Sequence, residues 1–375
     1  MNHGVRKGLI RIHVWSGLTI GLLLLGVALT GAILAWRPQL EKKTSAALFT
    51  VTPGQAKLPA DQLAAIAQAA HPGAPLESIH YYGDPTMPFF AYFSDKIFVH
   101  VNPYTGVVIG SRPRYGDFFG WLEGFHKFLH LLPAIGEPIM GTDAIVLTVV
   151  IVVGLVLWWP ASRRALRAGL TVNGKLSGRP WHLNVHKVVG VYAALVLLAS
   201  ALTGIPNSLE WAKALLYPLT GTTAMDPPHP KVIPPGFAGF TAMAAQLDRL
   251  VPNAEESFIP EPKNGVVASY AVGAGAVHPY ARSYLYLNPP DAAVLRFSPY
   301  AQASAGFRLY FWALAFHTGL IGGWPVQLIL CLGALAVPAL LFTGLNSYLK
   351  RKKGTPRRPG TPGVTAMPRA SQTGS

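Results

Sequence analysis

The chain has 375 residues, of which 51% are hydrophobic and only 13% charged, and it carries a formal net charge of +15. That composition is the profile of an integral membrane protein. The basic excess lies beside apolar runs and not on one soluble face, which argues against nucleic-acid binding; the single cysteine, Cys331, excludes a disulfide framework and a CxxCH haem attachment.

Taken in chain order, residues 1–11 are a basic N-terminal flank with Arg6, Lys7 and Arg11, and residues 12–36 are the first expected transmembrane helix. The run is too long for a signal-peptide core, and Arg37-Pro38 does not resemble a cleavage site, so it reads as a retained anchor. Residues 37–119 form an external module, with an amphipathic helix over 59–70 and a hairpin in "IFVHVNPYTGVVIG" (97–110), turning at Asn102 to Gly106. Residues 120–141 read as a histidine-bearing helix that opens "GWLEGFHKFLH", followed by a second span, 142–160. A basic loop, 161–185, leads into a third span, 186–209. A second module, 210–305, repeats the pattern, with a helix over 238–250 and strand, turn, strand in "YLYLNPPDAAVLRF" (284–297). A second histidine-bearing helix, 306–322, contains "YFWALAFHTG", and a fourth span covers 325–347. The tail, 348–375, rich in Lys, Arg, Pro, Gly, Ser and Thr, reads as disordered.

Charge sets the expected orientation. Residues 1–11, 161–187 and 350–375 hold 16 Lys/Arg and no Asp/Glu, whereas 37–143 and 210–308 hold 15 Lys/Arg and all 16 acids. Basic flanks stay in the cytoplasm. Both termini are therefore expected inside, and both long intervening segments outside.

The chain repeats itself. "HVWSGLTIGLLLLGVALTG" (13–31) and "HKVVGVYAALVLLASALTG" (186–204) match without a gap in their leading His, a Gly four residues on and a closing Ala-Leu-Thr-Gly. In the histidine segments Trp121 precedes His126 by five residues, and Trp312 precedes His317 by five. Two such halves pack about a pseudo-twofold axis. The expected fold is an α-helical integral membrane protein: four transmembrane helices in two pseudo-symmetric halves, each half with an α+β module.

The repeat selects four histidines in two layers. His13 and His186 start spans on the cytoplasmic side, and His126 and His317 precede spans that start outside. His13, Gly17 and Gly21 share one helix face, as do His186, Gly190 and Ala194. A histidine followed by a stripe of small residues leaves a slot for something flat, and a haem with two axial imidazoles fits it. Zinc and copper also take histidine ligands, and small residues also serve helix packing. His130, four residues after His126, is a second candidate for the outer layer, although its counterpart in the repeat is Ile321. His182 raises the same question beside His186, and His3, His71, His80, His100, His229 and His278 read as surface or loop residues. No GxGxxG follows a strand, so an electron donor, reductase or quinol, is expected to be a separate partner.

These residues resemble the PepSY-associated transmembrane proteins in "H-x-W-x-G…ALTG", "FH-x-x-LH", "GLVLWWP" and "FHTG", and in modules similar to PepSY domains. The second module departs from the usual D-P-x-T-G turn with Asn288-Pro289-Pro290-Asp291. Within that family the chain resembles the di-haem inner-membrane ferric-siderophore reductases. The resemblance implies two periplasmic PepSY-like modules, two haems b with His13, His186, His126 and His317 as axial ligands, and electron delivery to a ferric siderophore. Arg112, Arg114, Tyr115, Arg308 and Tyr310, just before the histidine segments, are candidates to hold an anionic chelate; Arg and Tyr are also common interfacial anchors. The alternative is a non-enzymatic membrane scaffold whose modules bind or restrain a periplasmic partner.

Overall fold

The computed structural model describes residues 2–352 apart from 232 and 234; the part of the expected tail beyond 352 lies outside the described residues. The first half runs α1 (His3–Leu34), α2 (Arg37–Thr44), α3 (Ala46–Phe49), α4 (Ala60–Ala70), β1 (Leu76–Tyr82), β2 (Phe89–Phe93), β3 (Ile97–Val101), β4 (Val108–Pro113), α5 (Phe118–Phe128) and α6 (Pro133–Trp158). After α7 (Arg163–Leu170), the second half runs α8 (Gly178–Ser208), α9 (Glu210–Leu219), α10 (Phe240–Leu250), β5 (Glu256–Pro260), β6 (Val267–Val272), β7 (Arg282–Leu287), β8 (Val294–Ser298), α11 (Ala305–His317) and α12 (Trp324–Lys352).

Four helices, α1, α6, α8 and α12, are long and apolar enough to cross a membrane. They form a ring in which α1 and α8 each pack against both α6 and α12. Small residues at the centre, Ala28, Ala193, Ala194 and Ala201, let the backbones approach around Leu147, Ile151, Leu197 and Val337. Large apolar side chains point outward: Leu22 is 82% exposed and its counterpart in the repeat, Leu195, 77%. Such a surface needs lipid as its solvent, and the chain is a multi-pass membrane protein.

All four spans outrun their expected bounds, α6 by starting at Pro133 instead of 142. The Asn2 side chain caps α1 by accepting from the Gly4 N–H at 3.1 Å, so the expected flank 1–11 is helical from His3. The expected loop 161–185 contains α7 and the first turns of α8, and α12 continues five residues past 347. Basic residues end an apolar run but are good helix formers, so the helix does not stop where the hydropathy does. The expected single helix over 120–141 is instead two. Leu129 and His130 take left-handed φ of 57° and 56°, and α6 restarts at Pro133. Proline at the first helical position is preorganised for a start, and it disfavours helix in the residue before it. The second histidine-bearing helix ends at His317, short of 322.

Each module lays one helix, α4 or α10, over four antiparallel strands. The two merge into one eight-stranded sheet of order β4-β3-β2-β1-β5-β6-β7-β8. Both helices cover the same face, where Leu63, Ile79, Phe93, Met243, Leu247, Ile259 and Leu285 form one core. The seam is the antiparallel pair β1 and β5, in which Ser78 faces Pro260, Ile79 faces Ile259 and His80 faces Phe258. Ser78 and Phe258 hold equivalent places, because each faces a tyrosine (Tyr92, Tyr270) that faces the residue three before its strand's end (Phe98, Tyr284). Ile79 and Ile259 are therefore counterparts paired with each other, and the pseudo-twofold axis passes between them. The two hairpin turns also match despite their different sequences. Asn102 N–H donates to Val107 O and Asn288 N–H to Ala293 O, each at 2.8 Å, and Ala292 takes at φ 56° the place that Gly106 takes at 71°.

Two of the histidines read as surface or loop residues are buried, His278 on the loop between β6 and β7 and His100 on a strand. His278 is enclosed beneath Tyr300 and Trp312. His100, 0% exposed on β3, donates Nδ1–H to Leu48 O at 2.8 Å while Nε2 has no partner. Burial pushes the His100 imidazole down to about 4. The unfolded chain binds that proton below about pH 6.5, so stability is complete above this value and falls as pH drops through the window to about 4. The loss expected from this one side chain is about 3 kcal/mol. Thermal melts in detergent near neutral pH and near pH 4 should show it, and His100→Gln should shrink the difference.

Candidate functional site

Four histidines are seated in the same way. His13 of α1 places Nδ1 3.0 Å from Val150 O of α6, and His126 of α5 places Nδ1 3.0 Å from Val27 O of α1. In the second half His186 of α8 reaches Leu340 O of α12 at 3.1 Å, and His317 of α11 reaches Ser200 O of α8 at 3.0 Å. A carbonyl only accepts, so each Nδ1 carries the proton and each Nε2 keeps a lone pair.

Each ring lies on a glycine four residues beyond its acceptor. A Cβ built on Gly154 would stand 3.0 Å from His13 Cε1, and one on Gly31 2.9 Å from His126 Cε1. At Gly204 and Gly344 the distances to His317 and His186 Cε1 are 2.9 and 3.3 Å. Three of the four seats add a threonine hydroxyl three residues beyond the acceptor. Thr30 lies 3.1 Å from His126 Nδ1, Thr203 3.4 Å from His317 Nδ1 and Thr343 3.3 Å from His186 Nδ1. At the fourth seat the position is Val153.

Within a half, the helices hold each ring; across the halves, the rings meet. His13 faces His186 with ring centres 6.0 Å apart and planes at 85°, and His126 faces His317 at 6.1 Å and 50°. The first pair lies at the end of the bundle far from the sheet, the second at the sheet side. Helix α1 belongs to both layers, and 14 residues separate His13 from Val27, as 14 separate His186 from Ser200. The layers are thus about 21 Å apart along either helix.

Beside the far-side pair, a Cβ on Gly17 would meet nothing within 4 Å, and one on Gly190 only Leu340 Cδ2 at 3.6 Å. One turn further, the stripe closes, since a Cβ on Gly21 would stand 2.7 Å from Leu341. His130 does not reach the sheet-side pair. The helix ends before it, and its ring turns back over Trp121, with Nε2 2.8 Å from Trp121 O. The spacing of four residues from His126 implied a shared face only for an unbroken helix. Among the described residues no three His, Cys, Asp or Glu side chains gather into a cluster, so neither layer is the closed tetrahedral site of a structural zinc.

The candidate chelate residues are dispersed. Arg112 is tied to Glu41 at 3.1 Å and to Asp117, with Phe49 and Phe98 against its guanidinium. Arg114 pairs with Glu123 at 3.3 Å and donates to Tyr115 OH at 2.9 Å. Glu123 also takes Arg37 at 2.7 Å, so Arg112, Arg114 and Tyr115 brace α2, β4 and α5 against one another. In the second half Arg308 is exposed and Tyr310 lies under the Lys213 ammonium.

The family model for the PepSY-associated TM region matches residues 10–351. The chain belongs to the PepSY-associated transmembrane family. A search among curated proteins finds no match. All four histidines, their acceptor carbonyls and their glycine seats lie within the PepSY-associated region. The seats escaped the sequence reading although their signal was present. The Ala-Leu-Thr-Gly that marked the repeat is the seat itself, and span four carries the same pair as Thr343-Gly344.

Proposed function

We propose that this PepSY-associated protein carries electrons across a bacterial inner membrane through two haems b and delivers them to a ferric siderophore or similar ferric chelate in the periplasm. The observation that carries the reading is the pair of facing imidazoles repeated at both ends of the bundle. Two metal–nitrogen bonds of about 2 Å, plus about 1 Å from nitrogen to ring centre on each side, place the ring centres about 6 Å apart. The ring-centre separations of 6.0 and 6.1 Å fit that span. With Cys331 as the only cysteine, no thioether linkage is available, which makes the b type the fitting one.

A haem held by two imidazoles exchanges one electron at its iron while keeping both ligands. The protein's part is positional. Val150, Val27, Leu340 and Ser200 carbonyls fix the tautomer and raise the basicity of the opposite nitrogen. The glycines let each ring lie flat against its helix, and α1 and α8 keep the two layers in register. The basic flanks put the His13/His186 end in the cytoplasm, where a separate reductase or quinol is the donor. The sheet, whose halves are PepSY-like modules, then covers the His126/His317 end and holds the acceptor. Hard oxygen donors grip Fe(III) more tightly than Fe(II), so reduction releases the iron.

The test is a reduced-minus-oxidised spectrum of protein purified from haem-replete cells. The expected result is a sharp low-spin b-type signal with about two haems per chain. A colourless protein would overturn the reading and leave the membrane scaffold in its place.

A further inference from the structure

One acidic side chain inside the bundle has no role in the seats. Asp143 lies on α6, is 5% exposed, and its Oδ1 is buried without a hydrogen-bond partner. Its position is specific. Seven residues further on, Val150 O holds His13. Seven residues earlier, Gly136 packs so closely on Phe128, two residues past His126, that no Cβ would fit between them. Residues 136, 143 and 150 follow one stripe of the helix, with a drift of about 20° per seven residues. Along α6, Asp143 is about 10 Å on the sheet side of the carbonyl that holds His13, and Gly141, two residues earlier, packs on Leu209, beyond the His317 seat at Gly204.

Among the described residues of the helices packed against α6, no charged side chain pairs with it. In α1 no charged side chain occurs between Val14 and Leu34, and in α8 the stretch from Val188 to Ser208 offers only Tyr192, whose hydroxyl is bonded to Leu170 O. In α5, Glu123 and Lys127 pair with each other and Glu123 also with Arg37 and Arg114, while His126 is seated on α1. Glu210, at the start of α9, pairs with Lys213, and Glu137 of α6 lies nearly two turns nearer the sheet. An ionisable group in a membrane helix is costly, faces the interior and usually serves a charge or proton path.

We propose that Asp143 is the internal counter-charge of the electron path and takes up a proton when an electron arrives beside it. The inference rests on the two-haem reading. A ferric iron in a porphyrin dianion would carry one net positive charge, and the Asp143 carboxylate can balance that of one haem. On reduction the iron gains one electron from the donor, and the Asp143 carboxylate gains one proton from water at a membrane face. The summed charge inside the bundle stays the same, which avoids the cost of an uncompensated buried charge. Asp143 is a charge-compensating residue; it is not an iron ligand.

The test is a pH series of redox titrations on the haem-loaded protein, read from its visible spectrum. In the wild type, the reduction constant of at least one haem should fall about tenfold per pH unit where the carboxyl titrates, or 59 mV for one electron. Asp143→Asn should keep both haems, flatten that slope and favour the reduced form at neutral pH by about tenfold or more. Asp143→Glu should restore the slope. If Asp143→Asn does not assemble, redox-induced infrared difference spectra of the wild type decide. A carboxylic-acid C=O band should appear on reduction, shift in heavy water and persist in Glu137→Gln. Two bound haems with no pH-dependent potential, or a slope unchanged in Asp143→Asn, would overturn the role of Asp143 alone. A wild type without haem would overturn the proposed function instead.

Discussion

Alanine at His317 is expected to remove the sheet-side haem and spare the other, so that the b-type difference signal falls by about half. The two layers share helices but no ligand: His13 and His186 are seated on α6 and α12, His126 and His317 on α1 and α8. Loss of one imidazole leaves its partner still tied to its carbonyl, but facing empty space where the second bond should form. His13→Ala should remove the other half, and His13→Ala with His317→Ala should give a colourless protein that still inserts and folds. His130→Ala is the decisive control. Its ring is turned onto Trp121, so the signal should stay whole; a loss equal to that of His126→Ala would show that the outer ligand had been misassigned.

The second large effect is expected from a residue that binds nothing. A Cβ on Gly204 would stand 2.9 Å from His317 Cε1, and valine adds two further carbons at the same place. The ring must then leave its carbonyl or the two helices must part, an overpacking that costs about 1–3 kcal/mol. Gly204→Val should therefore reproduce the haem loss of His317→Ala, with every ligand intact. Thr203→Val should do far less, because the Ser200 carbonyl remains as acceptor. Gly190→Ala should be tolerated by the apoprotein, since its nearest neighbour is 3.6 Å away. Haem content per chain, measured after equal extraction, separates the three.

Much of the site was legible because it repeats. Two aligned nineteen-residue stretches and two Phe-His segments pointed to four histidines, and these are the four that meet in pairs. Spans and hairpins were legible because hydropathy and turn chemistry are local. The break at Leu129 and His130 was not, because neither residue is a glycine and the cause, Pro133, acts from downstream. The joining of β1 to β5 is a pairing across some 180 residues that leaves no mark in local periodicity. The burial of His100 and His278 depends on neighbours from other elements. The seats were overlooked because a tetrapeptide shared by two helices reads as ancestry until the ring that rests on it is seen.

The pairing of Ile79 with Ile259 has a consequence for how the molecule can vary. A strand that pairs antiparallel with its own counterpart is the contact of a homodimer. Here the segment 159–177 ties the two copies together, so assembly does not depend on concentration in the membrane. The tether also frees each copy from the other's sequence. In a true homodimer every substitution appears twice, so an acid on the path would come as a pair or not at all. The fused chain holds one. The counterpart of Asp143, counted from the equivalent seats Gly154 and Gly344, is Gly333, where a Cβ would stand 2.5 Å from Val196 and no side chain fits. Joining the copies is what allows a single carboxyl, and so a single proton, in a bundle of two symmetric layers.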